Sequence, residues 1–307
     1  MERRIKAGSE KVAQGDCRAS LKHWDAALGD EAFPSLPEFG RAAVYQIAAS
    51  CTGLIGQEDR AYRYALDGTS QSAGTDALWS TRLTFELAGA RAAQGVETVE
   101  AMAMRNPDAL NATPIRRFLQ LERQANSDPA LQARLLKVLV AESYQPQDVF
   151  GSADIFKRKY AVILADAGDQ AAAHELARRI ETPTELLKIS TDPRLRATLP
   201  AAFDGRAETE RSLAKARAYA DAHPESLAAV VRTAQLQRML GRPEEALATL
   251  QAARPDQPRQ VAITDEYVNW WWDGVAKSYQ ILGRYDDAVK ALRTGAATDE
   301  YGLLNVS

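Results

Sequence analysis

MLGRPEEALATL (Met239–Leu250) and ILGRYDDAVKAL (Ile281–Leu292) are two copies of one pattern. In each, an apolar pair runs into Gly, then Arg, then Pro or Tyr, then an acidic pair, then apolar and small residues at three- and four-residue intervals. Gly reaches the left-handed conformation that closes a helix without a Cβ penalty. Acidic residues suit the positive end of the helix that starts next. The pattern therefore predicts a helix, a tight turn and an antiparallel helix. Weaker copies are AQGDCRASLKHWDAAL (Ala13–Leu28), LIGQEDRAYRYAL (Leu54–Leu66), AQGVETVEAMAM (Ala93–Met104) and DAGDQAAAHELARRI (Asp166–Ile180).

Working outward, the anchors are Gly15, Gly56, Gly95, Gly168, Gly241 and Gly283. Two wider gaps contain turns of their own, ANSDP around Asp128 and FDGR at Gly205; with them, successive anchors lie 33 to 42 residues apart. Ala, Leu, Arg, Glu and Gln dominate, all good helix formers, and no period-2 strand pattern appears. A lone hairpin cannot bury its apolar face, so such units stack on their neighbours.

The repeats resemble the tetratricopeptide repeat family. Its framework falls on Trp272, Val275, Ala276, Tyr279, Gly283, Tyr285, Ala288 and Leu292, with Glu300 where the family has Pro. The preceding copy supplies Ala234, Gly241, Pro243, Ala246, Leu250, Ala253 and Pro258, with Val230 in place of Trp. Near the start, Gly8, Gly15, Ser20, Trp24 and Ala27 match, as do Tyr45, Ala49, Gly56, Ala61 and Ala65. The expected fold is all-α: a right-handed α-solenoid of about eight antiparallel helical hairpins, tetratricopeptide-like. It is read as a single repeat domain over 1–307, clearest in 1–70 and 224–298 and divergent over 72–221.

Composition narrows the function. The 307 residues are 46% hydrophobic and 26% charged, with a net charge of −3. A nucleic-acid binder needs a concentrated basic footprint, so that partner is not expected. No apolar run is long enough for membrane insertion. The opening MERRIKAGSEKVAQGD lacks the apolar segment of a secretion signal, which leaves open a leader already removed.

Catalytic chemistry finds no constellation. His23, His174 and His223 fall on different hairpins and at no metal-ligand spacing. Phosphate loops and nucleophile elbows are lacking. The acidic pairs Glu244/Glu245 and Asp286/Asp287 fit the first turn of a helix rather than acid–base work. The chain is expected to be no enzyme and to need no cofactor or metal.

Cys17 follows the first turn and Cys51 lies late in the next helix. Antiparallel stacking brings a helix start beside a helix end, so the two fit either a disulfide or two small buried hydrophobes. A bridge places the protein in a periplasmic or secreted setting; otherwise the expectation is cytoplasmic. A bacterial adaptor suits either.

The resemblance also implies a ligand surface. In that family the first helix of each repeat lines a concave groove, which here gives Trp270, Asp273, Lys277 and Gln280. The preceding repeat contributes Ala228, Val231, Gln235 and Arg238, and the second contributes Ala43, Gln46, Ser50 and Gly53. The Lys/Asn arrangement that clamps a chaperone's terminal carboxylate is not present. The implied function is a non-catalytic scaffold that binds a peptide or protein segment. Alternatives are a regulatory or substrate-recruiting segment of a larger enzyme, or self-association through the C-terminal tail with Leu303, Leu304 and Val306.

Successive helix residues are rotated by about 100°, so Trp270, Trp271 and Trp272 cannot share a face. The repeat register points Trp270 at the groove, Trp271 at the preceding hairpin, and Trp272 between the two helices of its own hairpin.

Overall fold

The computed structural model describes residues 1–71, 75–144, 151, 153–253 and 265–297. These form seventeen α-helices and two 3₁₀ turns, with no strand among the described residues. The chain divides into two compact units, Met1–Asp148 and Val149–Ser307.

The first unit runs α1 (Glu2–Ala13), α2 (Cys17–Leu28), α3 (Glu38–Leu54), α4 (Glu58–Gln71), α5 (Asp76–Ala88), α6 (Ala92–Arg105), the short α7 (Pro107–Ala112), α8 (Ile115–Ala125) and α9 (Pro129–Leu139). The second runs α10 (Asp154–Asp166), α11 (Gln170–Arg178), α12 (Pro183–Thr191), α13 (Gly205–Ala222), α14 (Leu227–Met239), α15 (Pro243–Ala252), α16 (Asp265–Ile281) and α17 (Tyr285–Ala297). Within each unit a helix packs mainly on its neighbours in sequence, as in α1–α2, α3–α4, α14–α15 and α16–α17. That nearest-neighbour stacking defines a helical solenoid.

Six turns close in one way. Gly15, Gly56, Ala90, Gly168, Gly241 and Gly283 take positive φ, from 51° at Ala90 to 87° at Gly168. The following residue then donates its N–H to the carbonyl five positions back: Asp16 to Lys11, Gln57 to Thr52, Arg91 to Glu86, Asp169 to Leu164, Arg242 to Gln237 and Arg284 to Tyr279, at 2.8 to 3.0 Å. This closure satisfies carbonyls that the ending helix leaves open. Asp16, Asp169 and Ser226 then cap their helices by accepting from the backbone N–H of Ala19, Ala172 and Ala229.

One expected anchor is corrected, and the two inserted turns fall at helix starts. Gly95 lies inside α6, where a Cβ would fall 2.6 Å from Leu121 Cδ1; the turn belongs to Ala90, five residues earlier. Gly95 is thus a close-approach residue. Gly205 opens α13 behind its cap Asp204, whose carboxylate accepts from the N–H groups of Arg206 and Ala207. The turn at Asp128 holds, because Asp128 caps α9.

Each unit has its own core. In the first, Trp24, Trp79 and Phe118 are fully buried; in the second, Phe156, Ile189 and Leu250 are. Small residues set the helix spacing: Ala61, Ala65, Ala173 and Ala246 have no exposure. Ion pairs recur about one repeat apart, joining Asp25 to Arg60, Glu100 to Arg134 and Glu210 to Arg242. Such surface pairs contribute about 0–1 kcal/mol each, so they serve register more than stability. Glu300, Pro258 and the tail with Leu303, Leu304 and Val306 lie outside the described residues.

Candidate functional site

In the second unit, α14 and α16 pack on each other. Spacing of three and four residues puts Trp270, Asp273, Lys277 and Gln280 on one face of α16. Lys277 and Gln280 are exposed, and Trp270 and Asp273 are half-buried. Lys277 Nζ lies 2.7 Å from Asp273 Oδ2. On α14, Gln235 is half-buried and accepts a 2.9 Å hydrogen bond from Arg232 Nη1.

Arg238 joins the two helices. Its Nη1 donates to the Gly274 carbonyl at 3.2 Å and to Ser278 Oγ at 3.4 Å. Gly274 is a close-contact position, where a Cβ would fall 3.3 Å from Leu250 Cδ1 and 3.4 Å from Arg238 Nη1. Burial pulls the guanidinium below its usual range, and the charge of Asp273 only partly opposes this. Among the residues whose side chains are described, no carboxylate lies within ion-pair distance of Arg238, while Asp273 is engaged by Lys277. A half-buried cation without a carboxylate partner attracts an external anion strongly, because screening by water is weak there.

The other residues expected to line a groove are placed differently. Gln46, half-buried, and Ser50, exposed, lie on α3 in the first unit. Val231 is only 9% exposed and belongs to the core of the second unit. Trp270 packs against that same core, so its ring lies partly beneath the surface. Trp271 is buried, and its Nε1 donates to the Leu250 carbonyl of the preceding hairpin at 2.8 Å. Trp272 is half-buried and lies over Gly295 of α17, so it sits between the helices of its own hairpin. A hollow of about 390 Å³ lined by Ile180, Leu186, Phe203 and Arg211 shares no lining residue with the α14–α16 stripe.

The cysteines meet. Cys17 opens α2 and Cys51 lies in the last turn of α3, with Cα atoms 4.9 Å apart and the sulfurs in contact. That Cα separation suits a disulfide.

One buried cluster was missed. Glu86 on α5 is fully buried and its Oε1 accepts from Arg82 Nε at 3.0 Å and Thr98 Oγ1 at 2.8 Å. Arg82 Nη1 also donates to Thr69 Oγ1 at 3.0 Å. The available signal was an Arg and a Glu four apart in the otherwise uncharged run ALWSTRLTFELA. Burial pushes the Glu86 carboxyl up from 4.5 to about 7, against the hydrogen bond from Thr98 and the charge of Arg82. Between those values the folded chain holds a proton that the unfolded chain has released. Stability therefore falls as pH rises through that window, by on the order of 3 kcal/mol, and levels off above it. Glu86→Gln is expected to flatten this slope in urea titrations; an unchanged slope would assign it to other groups.

Among the described residues, no group of three His, Cys, Asp or Glu side chains is placed to hold a metal ion. None of the described helices is long and apolar enough to cross a membrane. The turns, the hairpins and the Trp272, Tyr279, Gly283 and Ala288 framework together define an all-α helical-repeat protein of tetratricopeptide-like construction.

No family model and no curated protein sequence matches the chain. Similar solved structures include a tetratricopeptide repeat protein from Parabacteroides merdae, 10% identical with a TM-score of 0.49, over 97% of this chain and 93% of that one. An assembly chaperone of RpL4 is 13% identical with a TM-score of 0.35, over 97% and 90% of the two chains. A signal-transduction ATPase with a tetratricopeptide repeat sensor, from Pyrococcus horikoshii, is 14% identical with a TM-score of 0.30; the match covers 96% of this chain but 42% of that one. Likeness at this distance carries no partner or activity across, and the hairpin assignment stands on this chain's own turns and contacts.

Proposed function

We propose that this protein is a non-catalytic interaction scaffold whose α14–α16 stripe takes a peptide segment of a partner protein, with a side-chain carboxylate of that segment on Arg238. The observation that carries this reading is the half-buried Arg238 guanidinium, held on Gly274 and Ser278, with no carboxylate within ion-pair distance among the residues whose side chains are described. Gln235 and Gln280 supply hydrogen-bond register, and the edge of Trp270 supplies apolar contact. Gln46 and Ser50 are a second candidate patch in the first unit. Cys17 and Cys51 form a disulfide in this reading, which suits an oxidising compartment such as a periplasm or the cell exterior.

Peptide display against the full chain, followed by fluorescence anisotropy on enriched peptides, tests the proposal. Peptides sharing an acidic residue are expected, and Arg238→Ala should weaken them at least about tenfold, since losing one partner of a desolvated charge pair costs about 2 kcal/mol or more. Enriched peptides that bind Arg238→Ala as tightly as the wild type would refute it.

A further inference from the structure

The residue nine positions after five of the six closing turns is a core residue. Trp24, Ala65, Val99, Ala177 and Leu250, which follow Gly15, Gly56, Ala90, Gly168 and Gly241, are at most 1% exposed. Leu292, at the same place after Gly283, is 51% exposed. With Tyr285 at 66% and Val289 at 46% it forms one apolar stripe along α17. The equivalent residues of α15, Pro243, Leu247 and Leu250, are buried, because α16 lies over them and Trp271 reaches the Leu250 carbonyl. The inner face of α17 meets α16 through Ala288 and Ala291, and no described helix covers its outer stripe. Among the described residues it is a helix-docking face that no helix covers.

The flanking charges say which helix fits. Asp286 lies in the first turn of α17, and Lys290 and Arg293 lie further along. None of the three has an ion pair among the described residues, whereas Asp287 is held by Arg284 at 2.7 Å. A second α17 laid parallel about a twofold axis would turn this charged flank toward the opposite flank of the other copy and pair none of these charges. Laid antiparallel about a twofold axis near Val289, it sets Asp286 against Arg293 of the second copy and Tyr285 against its Leu292. Opposed helix dipoles favour the same arrangement.

We propose that the outer face of α17 is a homodimerisation surface on which a second copy of this chain docks its own α17 antiparallel. The contact is isologous, so it closes at two copies rather than growing into a fibre. A helix of 13 residues spans only about 20 Å. The buried area therefore falls short of a standard interface, and association is expected to be weak, with a micromolar Kd.

Sedimentation equilibrium of the full chain, from about 1 µM to about 500 µM, tests this. A monomer–dimer equilibrium is expected. Val289→Asp and Asp286→Arg should each raise the dissociation constant at least about tenfold. Adding Arg293→Asp to Asp286→Arg should return it to within about threefold of the wild type, a rescue that general misfolding would not give. Circular dichroism of each variant checks that the helices are retained. A dimer indifferent to all three substitutions would overturn the proposal. So would a wild type that stays monomeric throughout. If a chain ending at Ala297 dimerises where the full chain does not, the tail is the occupant and the proposal also fails.

Discussion

Trp271→Ala is expected to lower the stability of the second unit by about 3–5 kcal/mol, the range for deleting a large buried aromatic side chain. The indole is 3% exposed, meets the Trp272 ring edge-on at 4.6 Å between centroids, and donates to the Leu250 carbonyl. Truncation leaves a cavity between α15 and α16 and removes the indole hydrogen bond to that carbonyl, which keeps the Ala253 N–H as a donor. Trp272→Ala should cost less, because its ring is only half-buried over Gly295. Urea unfolding of the full chain, followed by far-UV circular dichroism, ranks the two. A larger loss for Trp272→Ala would mean that the indole at Trp271 does not bind the two hairpins together.

Breaking the Cys17–Cys51 link is the second large effect. A Cys17–Cys51 disulfide would close a loop of 34 residues, and in the chain-entropy model constraining such a loop stabilises by about 3–4 kcal/mol. Urea unfolding with and without reductant should show that loss in the first unit, and the Cys17→Ser, Cys51→Ser double variant should match the reduced wild type. Non-reducing mass analysis of alkylated protein gives the covalent state directly. If both thiols alkylate without reductant, the pair is two packed cysteines, and reductant should leave stability unchanged.

The hairpins were legible because their turns are chemically specific. Gly15, Gly56, Gly168, Gly241 and Gly283 take the conformation that Gly adopts at least cost, and the same backbone closure follows each. The third hairpin was misplaced for the same reason. Ala90 carries the left-handed turn at φ 51°, where a Cβ is tolerated but not signalled, and Gly95 five residues on offers a false anchor. Gly95 instead admits Leu121, a need that depends on the distance between helices. The cysteine juxtaposition was readable because antiparallel stacking alone brings a helix start to a helix end.

The candidate site was legible only in part. Helical periodicity places Trp270, Asp273, Lys277 and Gln280 on one face without any tertiary knowledge. That Arg238 reaches across to Gly274 and Ser278 depends on how closely α14 approaches α16, which periodicity does not encode. Likewise, Val231 follows the stripe in sequence yet is spent on the core. The exposed face of α17 was hidden by its own regularity: Leu292 reads like Leu250, and only the presence or absence of a following helix separates them.

Hydrogen–deuterium exchange of the full chain, with and without an acidic peptide selected by display, tests the central claim most directly. The account predicts peptide-dependent protection confined to Leu227–Met239 and Asp265–Ile281, lost in Arg238→Ala. Protection that maps elsewhere, or that persists in Arg238→Ala, would contradict it.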